Sequence, residues 1–151
     1  MAELFDLKQE ELHLYWEAIL HRGAADIKRD HKPSWRVEDI YSLLRNQQVT
    51  CTIARRGPRL LGFIIYNRQQ RLFSFEPECF VWLGWNLPMR EWVAEDHMPD
   101  VVEQVWNHVA TVAKTQYQTD QITWITKPSR AKAFMRRFGW KPAWVTITVK
   151  V

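Results

Sequence analysis

The sequence has few of the residues that mark a disulfide-stabilised or membrane-spanning protein. Only two of its 151 residues are cysteine, Cys51 and Cys79, and each lies in an apolar, strand-like stretch. Such isolated cysteines are typical of buried thiols in a reducing compartment. No apolar run approaches the roughly 20 residues that a membrane helix needs. Residues 1–6 are acidic and lack the basic-then-apolar pattern of a secretory signal. We therefore expect a cytoplasmic protein with no membrane contact.

The sequence also lacks the short motifs of several enzyme classes. It has no Gly-x-Ser-x-Gly elbow, no Walker loop and no dinucleotide-binding glycine fingerprint. The five histidines are scattered, and His21 and His31 show no metal-ligand spacing with either cysteine. The sequence therefore predicts no metal site and does not indicate a hydrolase or a nucleotide-dependent enzyme of these classes.

Aromatic and basic residues, by contrast, are plentiful. Nine residues are tryptophan, and most should fill the core, because indole rings bury large apolar areas. The formal charge of +4 is too small to imply nucleic acid by itself. Basic residues are nevertheless clustered, at Arg55, Arg56 and Arg59, at Arg68 and Arg71, and at Arg136, Arg137 and Lys141. These clusters are either solvated turns and helix faces or a patch for phosphate or an acidic partner.

Hydrophobic periodicity predicts a single α/β domain over residues 1–151, without repeats or linkers. A first helix is expected over about 8–22 and ended by Gly23, with 24–33 irregular, and a second from Ser34 to about 47. Strands are then predicted at 49–54, 60–66 and 79–87, with a break in the strand pattern at 68–70. They are followed by a helix from Pro99, a strand at 122–126, a helix capped by Ser129 and ended by Gly139, and a last strand at 143–151. This order predicts a mixed sheet with helices on both faces.

Two stretches carry a family resemblance. One is Ala131-Lys132-Ala133-Phe134-Met135-Arg136-Arg137-Phe138-Gly139-Trp140-Lys141-Pro142, an apolar helix followed by a Gly-aromatic step. The other is the pair Gly62-Phe63, early in an apolar strand after a charged turn. With the order of elements from about Ser34 onward, these stretches resemble the GNAT superfamily of N-acetyltransferase-like proteins. The alternative is a generic α/β domain with a well-formed helix stop.

The resemblance implies a GNAT-like mixed sheet, and acetyl-CoA as cofactor if the protein is an enzyme. In that family the CoA diphosphate meets backbone amides at a helix start, on a glycine-rich and basic loop. The corresponding stretch here, 88–100, has no glycine, and Pro99 has no N–H to donate. Arg90 is its only strongly cationic group, and Asp96 or Asp100 is placed to cap the helix where a phosphate would lie. We therefore expect no cofactor. In the family, acetyl-CoA lies in a gap between two splayed parallel strands, and this long stretch would either block or gate that gap.

Candidate catalytic residues are few. In many family enzymes a tyrosine protonates the departing thiolate of CoA, but the matching position here is Met135, whose thioether has no proton to donate. Pro128 replaces a frequent asparagine, and Ser129 is a partial substitute if it is not simply a helix cap. Glu78 is a candidate general base toward an amine, the alternative being a solvated acid at a strand edge. Asn86 either reaches the gap or forms a turn.

These features lead to three hypotheses about function. The first is a GNAT-like protein that has lost acetyl transfer and binds another protein. Such proteins occur in short-tailed bacteriophages, including as virion components, and this tryptophan-rich chain resembles them. On this hypothesis the protein would lie in the host cytoplasm or in the virion.

The second hypothesis is an N-acyltransferase with an atypical acetyl-CoA site. Its phosphates would be held by Arg90 and the backbone of 97–101. The residues expected beside the rest of the cofactor are Trp82, Leu83, Trp85, Leu87 and Met135. The third hypothesis is a nucleic-acid-binding protein that uses the arginine clusters, namely Arg55, Arg56, Arg59, Arg136 and Arg137, together with exposed indoles.

Overall fold

One five-stranded mixed β-sheet organises the chain. The computed structural model describes residues 1–71, 74–143 and 149–150, and the statements below refer to those ranges. The strands are β1 (Glu3–Asp6), β2 (Thr50–Arg56), β3 (Arg59–Gln70), β4 (Pro77–Asn86) and β5 (Ile122–Trp124). They lie side by side in sequence order, antiparallel from β1 to β4, with β5 parallel to β4. The predicted mixed sheet is confirmed.

Helices pack on both faces of this sheet. Helix α1 (Leu12–Tyr15) continues through a π-helical turn, Trp16–Leu20, into α2 (His21–His31), and α3 (Val37–Arg45) follows. Helix α4 (Met98–Thr115) connects β4 to β5, and α5 (Pro128–Phe138) comes after β5. Short 3₁₀ turns lie at Gln9–Glu11, Met89–Glu91 and Ala94–Asp96. No helix in the described ranges is both long and apolar enough to cross a membrane.

Hydrophobic clusters lie on the two faces because neighbouring strand residues point to opposite sides. On β3, Phe63 and Ile65 pack toward α1–α3, whereas Ile64 and Tyr66 pack toward α4. A third cluster, around Leu61, lies between the sheet and the start of α4. Both cysteines are free and buried, as predicted. Burial raises the pKa of the Cys79 thiol to about 12, so it stays protonated at neutral pH.

Several predictions about the first half of the chain are wrong. The second helix begins at Val37 with Arg36 as its N-cap, and not at Ser34. Gly23 does not end a helix but lies inside α2, so residues 24–31 are helical. A Cβ atom at Gly23 would lie 2.3 Å from the Phe63 ring, so glycine here lets the helix approach the sheet. Strand β3 continues through residues 68–70, because Gln70 still pairs with Pro77. The periodicity also misses β1, which is too short to show a pattern and is held by pairing with β2.

The end of the chain gives a mixed result. The N-cap of α5 is Lys127, followed by Pro128, so Ser129 lies inside the helix and the predicted cap is wrong. Proline suits the first turn, since it has no N–H that needs a partner there. Gly139 ends α5 with a φ of 67°, as predicted. Most of the predicted last strand, 143–151, lies outside the described residues.

Candidate functional site

Strands β4 and β5 pair briefly and then part. The pairing covers Cys79, Phe80 and Val81 of β4, whereas β4 itself continues to Asn86. A β-bulge places Trp82 as an extra residue opposite β3 at this point. The bulge reverses the two faces of β4, so that Cys79 and Val81 pack toward α4 and Leu83 packs toward α1–α3. Beyond Val81, the edge of β4 has no paired strand among the described residues.

The bulge distributes the predicted cofactor residues over different surroundings. Trp82 is 39% exposed, and its indole N–H donates to Asn67 Oδ1 at 3.0 Å. Leu83 is buried beneath α1–α3. Leu87 is buried in the cluster at the start of α4. These three side chains therefore do not line one common surface.

Trp85 packs against α2 and away from the β4 edge. Its ring stacks on Phe63 with centroids 5.9 Å apart. Its indole N–H donates to Asp26 Oδ2 at 3.1 Å, and the Arg22 guanidinium carbon lies 5.4 Å from the ring centre. Trp85 therefore joins helix and sheet.

The segment between β4 and α4 is anchored through a buried carboxylate, Asp96. Asp96 accepts hydrogen bonds from Arg59 Nη1 and from the Val93 N–H at 3.2 Å, and Arg56 Nε lies 3.4 Å from its other oxygen. Burial alone would raise the pKa of this carboxyl. The hydrogen bonds from Arg59 and Val93 and the two guanidinium charges outweigh burial and lower the pKa below its ordinary value. The segment is thus fixed to the β2–β3 hairpin.

Glu91 fixes the same segment to α2. Its two carboxylate oxygens accept hydrogen bonds from the Arg22 guanidinium, one of them at 3.0 Å. The hydrogen bond from Arg22 lowers the pKa of the Glu91 carboxyl. The Glu91 carbonyl also accepts from Arg59 at 2.8 Å. The neighbouring Arg90, the cation predicted to hold phosphate, is exposed.

The first turn of α4 offers few open backbone donors. The His97 carbonyl accepts from the Asp100 N–H at 3.0 Å and from the Val101 N–H at 3.4 Å, and Pro99 has no N–H. The Asp100 carboxylate lies 2.7 Å from His97 Nδ1. Asp96 caps the preceding 3₁₀ turn and not α4. An anion approaching this helix start would meet occupied amides and the carboxylate of Asp100.

The last turn of helix α5 contacts the first turns of α4. Arg137 donates to the Pro99 carbonyl at 2.9 Å and pairs with Glu103 at 2.8 Å. Behind this bridge lies a cluster of rings whose contacting centroids are 4.5 to 6.4 Å apart. We call it the ring cluster; its members are Trp106, Trp124, Phe134, Phe138 and Trp140. The bridge and the ring cluster are the contacts through which α5 packs beside α4.

The predicted catalytic residues do not form one constellation. Glu78 is only 9% exposed and accepts from the Thr123 hydroxyl at 2.8 Å, so the alternative of a solvated acid is wrong. The Asn86 amide donates to the Leu87 carbonyl at 3.1 Å. Ser129 is exposed and Met135 partly buried, both on α5. Within the described ranges, no hydrogen bond or ion pair links any two of these residues.

The hairpin arginines predicted to bind nucleic acid have partners inside the molecule. Arg55 donates twice to the Glu3 carboxylate, each time at 3.0 Å. Arg56 and Arg59 flank Asp96. No local sequence signal could have shown the Asp96 pairing, because Arg59 is 37 residues away. The described part of the chain contains no group of three His, Cys, Asp or Glu side chains that could hold a metal.

Solved acetyltransferases share this fold. A ribosomal-protein-alanine N-acetyltransferase from Brucella melitensis biovar Abortus 2308 aligns with a TM-score of 0.64 and 14% identity, over 100% of both chains. A predicted acetyltransferase with acetyl-CoA from Clostridium acetobutylicum aligns at 0.66 and 9% identity, over 98% of this chain and 96% of that one. AAC(6')-Iy, in complex with a bisubstrate analogue, aligns at 0.68 and 12% identity, over 100% and 98%. No family model and no curated protein matches the sequence. The chain therefore has the GNAT acetyltransferase fold.

Proposed function

We propose that this GNAT-fold domain is a binding protein that does not transfer acetyl groups. The observation that carries the proposal is the bridge from α5 to the first turns of α4. Arg137 contacts the Pro99 carbonyl and the Glu103 carboxylate there. By resemblance to the family, this helix start is where the CoA diphosphate would lie. We infer that the bridge obstructs the approach of the diphosphate, because it joins α5 directly to this helix start.

The electrostatics of the helix start support the same proposal. A diphosphate is held at a helix N-terminus by open amides and positive potential. Here Pro99 provides no donor, and the His97 carbonyl takes the amides of Asp100 and Val101. The Asp100 carboxylate adds charge of the same sign as the ligand. These residues do not fit a coenzyme diphosphate.

The side chains at two α5 positions, Met135 and Ser129, also support the proposal. Met135 stands where the resemblance places a proton-donating tyrosine, and a thioether has no proton to give. Ser129 is exposed on α5. Neither residue offers a group whose pKa suits the protonation of a thiolate.

The alternative is an N-acyltransferase with an atypical cofactor site, and the parting of β4 from β5 after Val81 favours it. The free edge of β4 would then receive the cofactor, with the exposed Arg90 near its phosphates. For this to happen, Arg137 would have to leave Glu103 and Pro99. The experiment below separates the two functions.

Two narrower expectations from the sequence are part of the proposal. One is that the partner is a macromolecule, with another protein as the first expectation. The other is a bacteriophage setting, in the host cytoplasm or the virion. Both rest on likeness of sequence, and the fold is compatible with each.

Thermal unfolding with and without acetyl-CoA tests the proposal. A ligand at 100 times its Kd stabilises a folded protein by about 2.7 kcal/mol, which raises the Tm by several degrees. We expect no shift at about 1 mM acetyl-CoA, whereas AAC(6')-Iy under the same conditions should shift. A saturable shift in the wild-type protein, or labelled acetyl transferred to an amine, would overturn the proposal.

The variant Arg137→Gln refines the experiment. A shift that appears only in this variant would show that the bridge closes the site, as we propose. No shift in either protein would assign the exclusion to the acidic start of α4. Titration with acetyl-CoA followed by tryptophan fluorescence gives an independent readout, because Trp82 lies at the free edge of β4.

A further inference from the structure

Charge is distributed unevenly along the chain. Residues 121–151 contain seven Lys and Arg residues and no Asp or Glu. Since the whole chain has 21 basic and 17 acidic residues, residues 1–120 hold 14 basic and 17 acidic ones. The first four-fifths of the chain are therefore slightly acidic, and the surplus of positive charge belongs to the last fifth.

This surplus lies on the surface of α5 and its flanks. The exposed cations are Lys127, Arg130, Lys132, Arg136 and Lys141; we call them the α5 basic face. Arg137 is not counted among them, because it forms an ion pair with Glu103. Among the described residues, none of the five forms an ion pair. Their charge is thus available to a ligand, whereas that of the hairpin arginines is not.

The orientation of α5 decides what kind of ligand can use this face. Phe134 and Phe138 belong to the ring cluster and turn the apolar side of the helix toward α4 and β5. Lys132 and Arg136 are four residues apart and therefore share the opposite, solvent-facing side. A helix that binds a membrane surface inserts its apolar side into the lipid. In α5 that side is already occupied, which favours a ligand in water over a bilayer.

We propose that the α5 basic face binds the phosphate backbone of a nucleic acid. An 11-residue helix is about 16 Å long, and one nucleic-acid strand carries a phosphate about every 3.4 Å. Lys132 and Arg136, one turn apart on the solvent-facing side, complement phosphates of one strand, and the exposed Lys127, Arg130 and Lys141 add positive charge around them. Arginine also binds phosphate through two parallel N–H donors. The proposal does not depend on whether the space between α4 and α5 admits acetyl-CoA.

The test is the salt dependence of binding to a fluorescein-labelled single-stranded DNA 20-mer of mixed sequence. The double variant Lys132→Gln/Arg136→Gln removes two charges from the α5 basic face. Each lost phosphate contact lowers the slope of log K against log salt by about 0.7 for single strands. We expect the slope to fall by about 1.4 and binding at 0.15 M salt to weaken about tenfold.

Two control proteins keep the proposal open to refutation. Lys8→Gln/Lys32→Gln removes the same charge from exposed positions of the acidic part of the chain and should leave the slope unchanged. Lys132→Arg/Arg136→Lys keeps the charge and should bind within about twofold of wild type. Circular dichroism melts establish that each variant is folded.

Three outcomes would overturn the proposal. The first is no binding of the 20-mer by the wild-type protein at 50 mM salt. The second is an equal loss of binding in the Lys8→Gln/Lys32→Gln control. The third is binding of hexaglutamate, or of vesicles containing phosphatidylserine, as tight as that of the 20-mer; this would assign the face to an acidic protein or to a membrane.

Discussion

Helices α2 and α5 are both 11 residues long and basic in their last turns, yet they are held in different ways. Helix α2 buries Gly23 and Ala24 against the sheet, whereas α5 has no buried residue. The difference follows from what lies at each contact. Glycine lets the α2 backbone approach the sheet, whereas α5 contacts its neighbours through the rings of Phe134 and Phe138. The closely packed α2 therefore completes the core, whereas the less buried α5 keeps its charged side chains in solvent.

The largest loss of stability is expected from adding a side chain between α2 and the sheet. A Cβ at Gly23 would lie within 2.9 Å of both the Phe63 and the Trp85 rings. Since neither core ring can move freely, we expect Gly23→Ala to lower the free energy of unfolding by about 3 kcal/mol. Urea denaturation measures this loss. Gly84→Ala is the matched control, because its nearest atom is 4.0 Å away; equal losses in both variants would contradict the packing comparison.

A smaller effect is expected at Asp96, which anchors the β4–α4 segment to the β2–β3 hairpin. Asp96→Asn leaves two arginines facing an uncharged group, and should cost about 2 kcal/mol at neutral pH. The cost is less than for a fully buried pair, because the side chains of Arg56 and Arg59 are 31% and 35% exposed. Denaturant unfolding at pH 7 measures it, with the exposed Glu95→Gln as a control that should change little.

The pH dependence of the same variant provides a second measurement. The pKa of Asp96 is lower in the folded than in the unfolded protein, so its contribution is complete above the ordinary value of 3.8. The contribution disappears as the pH falls from that value through the folded pKa. The stability difference between wild type and Asp96→Asn should therefore shrink below about pH 4. A difference that grows with acidification would show that Asp96 is not held as a carboxylate.

The smallest effect is expected on α5. Phe134→Ala removes a ring that is only partly buried, so we expect a loss of about 1.5 kcal/mol, below the 3–5 typical of fully buried rings. Thermal unfolding measures it, and hydrogen exchange should show faster opening of α5 than of α2. Ala133→Ser, on the exposed side of α5, serves as the control. A loss as large as that of Gly23→Ala would mean that the two helices are held equally firmly.

The predictability of the fold follows from the range of the interactions. The apolar periodicity of α4 and the glycine at 139 are local signals, and both elements are found where the sequence predicts them. Gly23 carries the same local signal as Gly139, yet it lies inside a helix. Its role depends on the Phe63 ring, 40 positions along the chain, and no pattern within α2 encodes that contact.

The candidate site was less predictable for the same reason. The run from Cys79 to Leu87 reads as one uninterrupted strand, but pairing with β3 makes Trp82 a bulge and sends the flanking residues to different faces. Glu78 reads as a strand-edge acid, but it is buried and accepts a hydrogen bond from Thr123 of β5, 45 positions along the chain. The acidic character of residues 88–100 could be predicted from the sequence. The arginines that anchor this segment could not, because they come from other parts of the chain.

By itself, the sequence determined the mixed α/β sheet, the lack of glycine in the β4–α4 segment, and the surplus of positive charge in its last fifth, since composition and short-range periodicity specify these properties. Only the tertiary structure decided which basic side chains are paired and which remain in solvent. It pairs Arg56 and Arg59 with Asp96 and leaves Lys132 and Arg136 in solvent, because an ion pair requires two side chains to meet in space, and the folded chain alone brings distant residues together.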